Sequence, residues 1–180
     1  KADIRDDHGI LGIGAKPSFA IGQRALLVKS SAGNVLWDCT PYLDDEVVGR
    51  VAAEGGLAAI AISHPHYYAT MVEWAHTFGC PIHLHEAERK WVMRPDPAVR
   101  FWAGETNDLG GGWTLGRGGG HYEGGHVLHL EERRALLHDP QTSGVLLLSL
   151  PAGEAAREGA GARIGTVMAA RADGCCLEVV

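Results

Sequence analysis

The stretch Ser63-His64-Pro65-His66-Tyr67-Tyr68 follows an uncharged apolar run, Leu57 to Ile62, and it decides the interpretation of the whole chain. An apolar run of this length without charges is typical of a buried strand. At the end of such a strand, the chain can turn both His64 and His66 toward one point. The pair is therefore the first candidate for a metal site.

A third imidazole comes from a distant glycine-rich stretch, Gly119 to Gly125, which contains His121. Three imidazoles around an open position are the arrangement of a catalytic zinc, where water takes the fourth place. An acidic residue, Asp139, follows another apolar run, residues 135–137. Because the chain has 10 His residues, a pair two positions apart also fits ordinary histidines in a metal-free domain. The sequence favours the metal site and leaves the metal-free alternative open.

Composition limits the class of protein. A chain of 180 residues is long enough for one domain with a substantial core, and 46% hydrophobic with 21% charged residues is ordinary for a soluble globular protein. The net charge of −6, without a run of Lys and Arg, argues against nucleic-acid binding. No apolar run approaches the roughly 20 residues of a membrane span, and no signal peptide is visible. The four Cys lack zinc-pair spacing, so we expect reduced thiols in a cytoplasmic protein.

Turn signals and apolar spacing predict hairpins first, then strand-helix-strand units, then more strands. Residues 25–38 are typical of a hairpin around Gly33-Asn34, and a helix is expected to begin at the acidic run Asp44-Asp45-Glu46. Helical spacing predicts a second helix over residues 70–78, ending at Gly79. This order indicates a layered α/β domain with a mixed sheet, whose ligands gather at the strand ends.

From about residue 17 to 137 the chain resembles the metallo-β-lactamase-fold hydrolases. The signature of that family is His-x-His-x-Asp-His, then a lone His in a glycine-rich Gly-His-x-x-Gly loop, then an Asp after an apolar strand. A further acidic position closes an early strand. The matching positions are Asp38, His64, His66, His121 and Asp139. The resemblance implies an α/β fold, a layered αββα sandwich of two sheets between helices, with metal bound at the sheet edges.

The chain departs from the signature at the second metal. Where the family has Asp-His, this chain has Tyr68-Ala69. Loss of those ligands implies one metal per chain, Zn²⁺ or alternatively Fe or Mn. The residues expected to hold it are His64, His66, His121 and Asp139. Tyr68 is a candidate proton donor or ligand, with core packing beside the following helix as its alternative.

Other histidines lie near the expected site. His85 ends a neighbouring predicted strand and could replace a lost ligand, with a supporting or surface role as the alternative. His126 and His129 lie on one predicted strand, and we expect them to share a face of it.

The C-terminal segment, residues 138–180, differs from the rest. Its string Asp139-Pro140-Gln141-Thr142-Ser143-Gly144, with the apolar pieces after it, is similar to the C-terminus of selenophosphate synthetase. We therefore expect a metallo-β-lactamase-like domain over residues 1–137 and a segment of different resemblance packed on it. No His follows His138, so the sandwich is expected to be incomplete in its C-terminal half. The apolar surface left uncovered favours a homodimer or poor solubility.

The resemblance implies a metal-dependent hydrolase of a small molecule. The metal lowers the pKa of a bound water toward ~7, and the hydroxide attacks an ester, thioester or amide, with Asp139 as ligand or water-orienting residue. The missing Asp-His pair favours an alternative, a non-catalytic metal- or ligand-binding domain of the same fold. A selenophosphate synthetase fragment is a third alternative.

Overall fold

The structure is a computed structural model of the chain. It describes the backbone of residues 1–7, 9–18, 22–118, 122–131, 135–137, 147–148, 165–167 and 177–179. Side chains are described over the same residues up to 131, except Asp7, and at Leu137. Two predicted metal ligands, His121 and Asp139, lie outside the described residues, as does the Asp139 to Gly144 string.

A seven-stranded sheet forms the centre of the fold. Its strands, in chain order, are β1 (Ala2–Asp7), β2 (Ile10–Ala15), β3 (Ala25–Val28), β4 (Val35–Trp37), β5 (Ala59–Ala61), β6 (Ile82–His85) and β7 (Val99–Trp102). They lie in the sheet in that same order. Pairing is antiparallel from β1 to β4 and parallel from β4 to β7. The predicted hairpin over residues 25–38 is confirmed as β3 and β4.

Helices connect the parallel strands, as crossover connections require. Helix α1 (Asp45–Ala53) joins β4 to β5, and helix α2 (Met71–Phe78) joins β5 to β6. The side chain of Asp44 caps α1 by accepting the Val47 N–H at 2.9 Å. Gly79 ends α2 with φ 64°, a left-handed conformation that glycine adopts without steric cost. Two short 3₁₀ helices, Pro65–Tyr67 and Glu86–Trp91, follow β5 and β6.

A second sheet contains β8 (Thr106–Gly110), β9 (Trp113–Arg117), β10 (His126–Leu130), β11 (Ala135–Leu137) and β12 (Leu147–Leu148), in the spatial order β12-β11-β10-β9-β8. A separate antiparallel pair joins β13 (Gly165–Val167) to β14 (Leu177–Val179). The chain divides into two compact units, Lys1–Leu147 and Leu148–Val180.

The first sheet is buried on both faces, because successive residues of a strand point to opposite sides. Leu36 of β4 packs in a core cluster with Val47 of α1 and Trp74 of α2. Its neighbour Trp37 packs in a second cluster with Leu128 of β10 and other residues of the second sheet. The described residues of the first unit therefore form layers of helices, sheet and sheet. Within them, no helix is both long enough and apolar enough to cross a bilayer.

Candidate metal centre

The candidate centre lies where the ends of β4 and β5 meet the start of β10. Asp38 follows β4 and Ser63 lies just beyond β5, and these strands are parallel neighbours, so their carboxyl ends adjoin. The Asp38 N–H donates to the Ala61 carbonyl at 2.9 Å, and the His126 N–H donates to the Ser63 carbonyl at 3.2 Å. The two sheets thus bring residues from three strand ends to one edge, as the sequence predicted for ligand positions.

Asp38 is fully buried and has φ 63°, a conformation that few residues other than glycine adopt. Its Oδ1 accepts two hydrogen bonds of 2.8 Å from Ser63, one from the backbone N–H and one from Oγ. A second contact of Ser63 Oγ, 2.9 Å long, joins it to His64 Nδ1. Since the only hydrogen of the hydroxyl is given to the carboxylate, Ser63 Oγ accepts from His64 Nδ1–H. This hydrogen-bond network leaves the lone pair of His64 on Nε2.

The two histidines of the pair face each other through single ring nitrogens. His64 Nε2 lies 3.0 Å from His66 Nδ1, and the two rings are nearly perpendicular at 79°. Because His64 Nε2 accepts, His66 Nδ1–H donates, and His66 Nε2 then accepts from the Tyr122 hydroxyl at 3.4 Å. One directed chain of hydrogen bonds therefore runs from Tyr122 to the Asp38 carboxylate.

This nitrogen pair fits a metal. Two nitrogens on a tetrahedral zinc, each about 2.1 Å from it, are roughly 3.4 Å apart. The 3.0 Å between His64 Nε2 and His66 Nδ1 is close to that separation. The other predicted ligands, His121 and Asp139, lie outside the described residues. Among the described ones, no three His, Cys, Asp or Glu side chains converge as a metal-binding group.

Tyr68, the predicted proton donor, packs against the main core cluster. Burial raises the pKa of its phenol well above the ordinary value, and the nearby carboxylates of Glu88 and Asp38 raise it further. The phenol is therefore protonated at neutral pH and has a hydrogen to donate. This packing agrees with the core-residue alternative, while the raised pKa makes loss of the phenol proton less favourable; the proton-donor role stays a prediction.

His85 is buried, and both of its ring nitrogens are bound to backbone groups. Nδ1 accepts the Ala87 N–H at 3.2 Å, and Nε2 donates to the Gly104 carbonyl at 3.1 Å. Its ring also packs edge-on against Trp102, with the centroids 4.6 Å apart. A ligand role would break the bond to Gly104, so the geometry favours the supporting alternative.

His126 was not among the predicted site residues. It is buried, its Nδ1 contacts the Gly124 carbonyl at 3.2 Å, and its Nε2 has no hydrogen-bond partner among the described residues. Burial lowers the pKa of the imidazole to about 4, so it is neutral at pH 7. The expectation that His126 and His129 share a face of β10 is wrong. Residues three positions apart in a strand point to opposite faces, and His126 is buried whereas His129 is half-buried.

Glu88 is a second residue that sequence reasoning missed. Its carboxylate is buried, with Oε1 accepting the Gly124 N–H and Oε2 without a hydrogen-bond partner in the described part of the chain. A Cβ on Gly124 would lie 2.5 Å from Glu88 Cγ, so only glycine fits there. Glu88 therefore anchors the segment that carries Tyr122. The pair of glycines at 124 and 125 was the only signal of this close approach.

Solved structures share this architecture. The DIM-1 metallo-β-lactamase matches with a TM-score of 0.57 at 16% identity, over 76% of this chain and 68% of that one. The SMB-1 metallo-β-lactamase matches with a TM-score of 0.52 at 20% identity, over 67% and 54%. TTHA1623, solved in a di-iron-bound form, matches with a TM-score of 0.54 at 21% identity, over 69% of each chain. The chain has the metallo-β-lactamase fold, and the predicted fold class is confirmed.

One relative is much closer in sequence. The uncharacterised protein YmaE of Bacillus subtilis (strain 168) is 47% identical over 125 residues, which are 69% of this chain and 46% of that protein. The present chain thus spans about half the length of this relative. No family model matches the chain.

Proposed function

We propose that this protein is a metal-dependent hydrolase of the metallo-β-lactamase fold, acting with one metal on an ester, thioester or amide of a small molecule. The observation that carries the proposal is the facing pair of nitrogens, His64 Nε2 and His66 Nδ1, 3.0 Å apart. His121 and Asp139 complete the proposed ligand set. When bound, the metal would supply Lewis-acid polarisation and a lowered pKa of water.

The residues of the chain would prepare the site for that ion. The Asp38 carboxylate and Ser63 Oγ hold His64 as the Nδ1–H tautomer, which presents Nε2 as a donor atom. His66 would move its own proton from Nδ1 to Nε2 before Nδ1 could bind. The Tyr122 hydroxyl oxygen, 3.4 Å from His66 Nε2, would then accept a hydrogen bond from Nε2–H instead of donating one. Tyr68 is the proposed proton donor to the leaving group.

Metal content is the first test. We expect about one metal per chain by elemental analysis of protein purified without a His tag, with the content lost in His64→Ala and His66→Ala. The matched control is His129→Ala, which removes a half-buried imidazole from β10. Equal metal content in all four proteins would place the ion elsewhere and remove the basis of the proposal.

Hydrolysis is tested on panels of esters, thioesters and lactams with and without chelator. Turnover that a chelator abolishes and added zinc restores supports the hydrolase. Turnover that survives complete removal of metal contradicts it.

A non-catalytic metal- or ligand-binding domain is the second candidate. The observation that favours it is Tyr68-Ala69 in place of the Asp-His pair that holds a second metal in the resembling family. It predicts one bound metal per chain with no turnover of any panel member.

A further inference from the structure

A polar cavity of about 120 Å³ lies beside the candidate metal centre, at the N-terminal end of the first sheet. Strands β1 and β2, the segments on either side of residues 19–21, and the chain after β4 contribute to its wall. Its charged and polar lining includes Asp3, Arg5, Lys16, Gln23, Arg24 and Thr40.

Positive charge dominates this cavity, which we call the basic pocket. Lys16 Nζ, Arg24 Nη1 and Arg5 Nη2 lie 2.9, 3.2 and 3.2 Å from the carboxylate of Asp3. The hydrogen bond from Lys16, with the two Arg residues, lowers the pKa of Asp3 to about 2. Among the described residues that line the pocket, three cations thus share one carboxylate, on a chain whose net charge is −6.

Arg24 is held in place by the strand beneath it. Gly12 and Gly14 lie on the same face of β2, and the Arg24 side chain lies across both. A Cβ on Gly14 would be 3.3 Å from Arg24 Nη1, and one on Gly12 would be 3.8 Å from Nε. A second hydrogen bond, 3.4 Å long, joins Nη2 to the Asp3 carbonyl. The guanidinium is therefore pre-organised, which lowers the entropic cost of using it to bind a ligand.

The basic pocket is connected to the candidate metal centre through Gln23. Its Nε2 donates to the His66 carbonyl at 2.6 Å, and the residue also lines the pocket. Thr40, two residues after Asp38, also lines the pocket. Gln23 thus joins the wall of the pocket to the backbone of a proposed metal ligand.

We propose that the basic pocket binds a carboxylate or phosphate group of the substrate, so that the hydrolysed compound is an anionic ester, thioester or amide. This inference rests on the proposed hydrolase function. Arg and Lys are the side chains that bind such oxyanions with charge-assisted hydrogen bonds. The side chains of Arg5 and Lys16 are 63% and 58% exposed, so a ligand can reach both.

The first experiment measures anion binding without chemistry. Inorganic phosphate and succinate are titrated by calorimetry into wild type, Arg5→Gln/Lys16→Gln and Arg50→Gln, with chloride holding the ionic strength constant. Arg50→Gln is the control for loss of an exposed positive charge outside the pocket lining, since Arg50 is 40% exposed and ion-paired with Glu54. We expect the double variant to bind at least one of the anions roughly fivefold or more weakly, and the control to match wild type. Circular dichroism verifies folding, and Arg5→Lys/Lys16→Arg keeps the charge and is expected to restore binding.

The second experiment uses metal-loaded protein and a matched pair of substrates, 4-nitrophenyl acetate and mono-4-nitrophenyl succinate. We expect the double variant to raise KM for the succinate ester by roughly fivefold or more and to leave kcat/KM for the acetate ester unchanged.

The outcomes separate the two proposals. Anion binding lost in the double variant, with neither ester hydrolysed, keeps the pocket as an anion site and overturns the hydrolase. The pocket proposal is overturned, whatever the hydrolysis shows, if wild type binds neither of the two anions. It is also overturned if Arg50→Gln weakens anion binding as much as the double variant does. The cluster would then be an ion-pair network that only ties β1 to β2. Equal KM changes for both esters also overturn it.

Discussion

Replacement of Ser63 by alanine tests the hydrogen-bond chain behind the candidate metal centre. Ser63→Ala removes the 2.8 Å bond to the Asp38 carboxylate and the 2.9 Å bond to His64. A bond to a charged group contributes about 1.5–3 kcal/mol, and a buried donor left without an acceptor costs about 1–3 kcal/mol. The backbone N–H of residue 63 still donates to Asp38 Oδ1, so the carboxylate keeps one of its two hydrogen bonds from this residue. We expect a loss of about 2–4 kcal/mol in the free energy of unfolding, since such terms are not fully additive.

The same substitution is expected to weaken metal binding. Without Oγ, His64 loses the hydrogen bond that selects its Nδ1–H tautomer, and loss of such a supporting partner typically costs 10–100-fold in metal affinity. Unfolding in urea gives the first quantity, and competition with a chromophoric zinc chelator gives the second. Ser63→Thr keeps the hydroxyl and serves as control. If zinc affinity stays at the wild-type value while stability falls, the tautomer argument is refuted and Ser63 is only structural.

Two further predictions concern stability. Gly124→Ala places a Cβ against Glu88 and is expected to lower the free energy of unfolding in urea by about 1–3 kcal/mol. The control Gly49→Ala lies in open space on α1 and is expected to raise that free energy by about 0.5–1 kcal/mol. Equal effects of the two substitutions would contradict close packing at Gly124. His126 has a folded-state pKa of about 4, below its ordinary value of 6.5, so its contribution is present above pH 6.5 and is lost as the pH falls toward 4. The loss in the free energy of unfolding amounts to about 3 kcal/mol. Over this pH range, the free energy of unfolding is expected to fall less in His126→Gln than in wild type. An equal fall in both proteins would show that His126 does not cause the pH dependence.

Local sequence patterns predicted much of the first sheet. The hairpin over residues 25–38, the helix that begins after Asp44 and the helix that ends at Gly79 all agree with the structure to within a residue or two. These features depend on short-range physics: turn conformations, capping side chains and the 3.6-residue period of a buried helical face. The layered fold class followed from their order together with the resemblance. The boundary at residue 137 stays a prediction.

The candidate site was only partly readable from the sequence. His64 and His66 are only two positions apart in the chain, so their pairing could be predicted without knowledge of the fold. Glu88 and His126 enter the neighbourhood of the site because β10 begins beside Ser63 and because the 3₁₀ helix Glu86–Trp91 reaches Gly124. Apart from the glycines at 124 and 125, no local pattern encodes these contacts. His121, Asp139 and Tyr68 keep the roles predicted for them as proposals.

The sequence by itself predicted most strands and helices from β3 onward, but not β1, β2 or β8, and it showed where two imidazoles stand together, since those properties depend on neighbours within a few residues. Tertiary structure alone decided that Arg5, Lys16 and Arg24 surround one carboxylate. These residues are scattered through a chain without any basic run, and the register of β1 against β2 brings the first two together. The tertiary structure also decided the tautomer of His64. The ring nitrogen that carries the proton is determined by its hydrogen-bond partner, and here Nδ1 faces Ser63, whose hydroxyl donates to the Asp38 carboxylate.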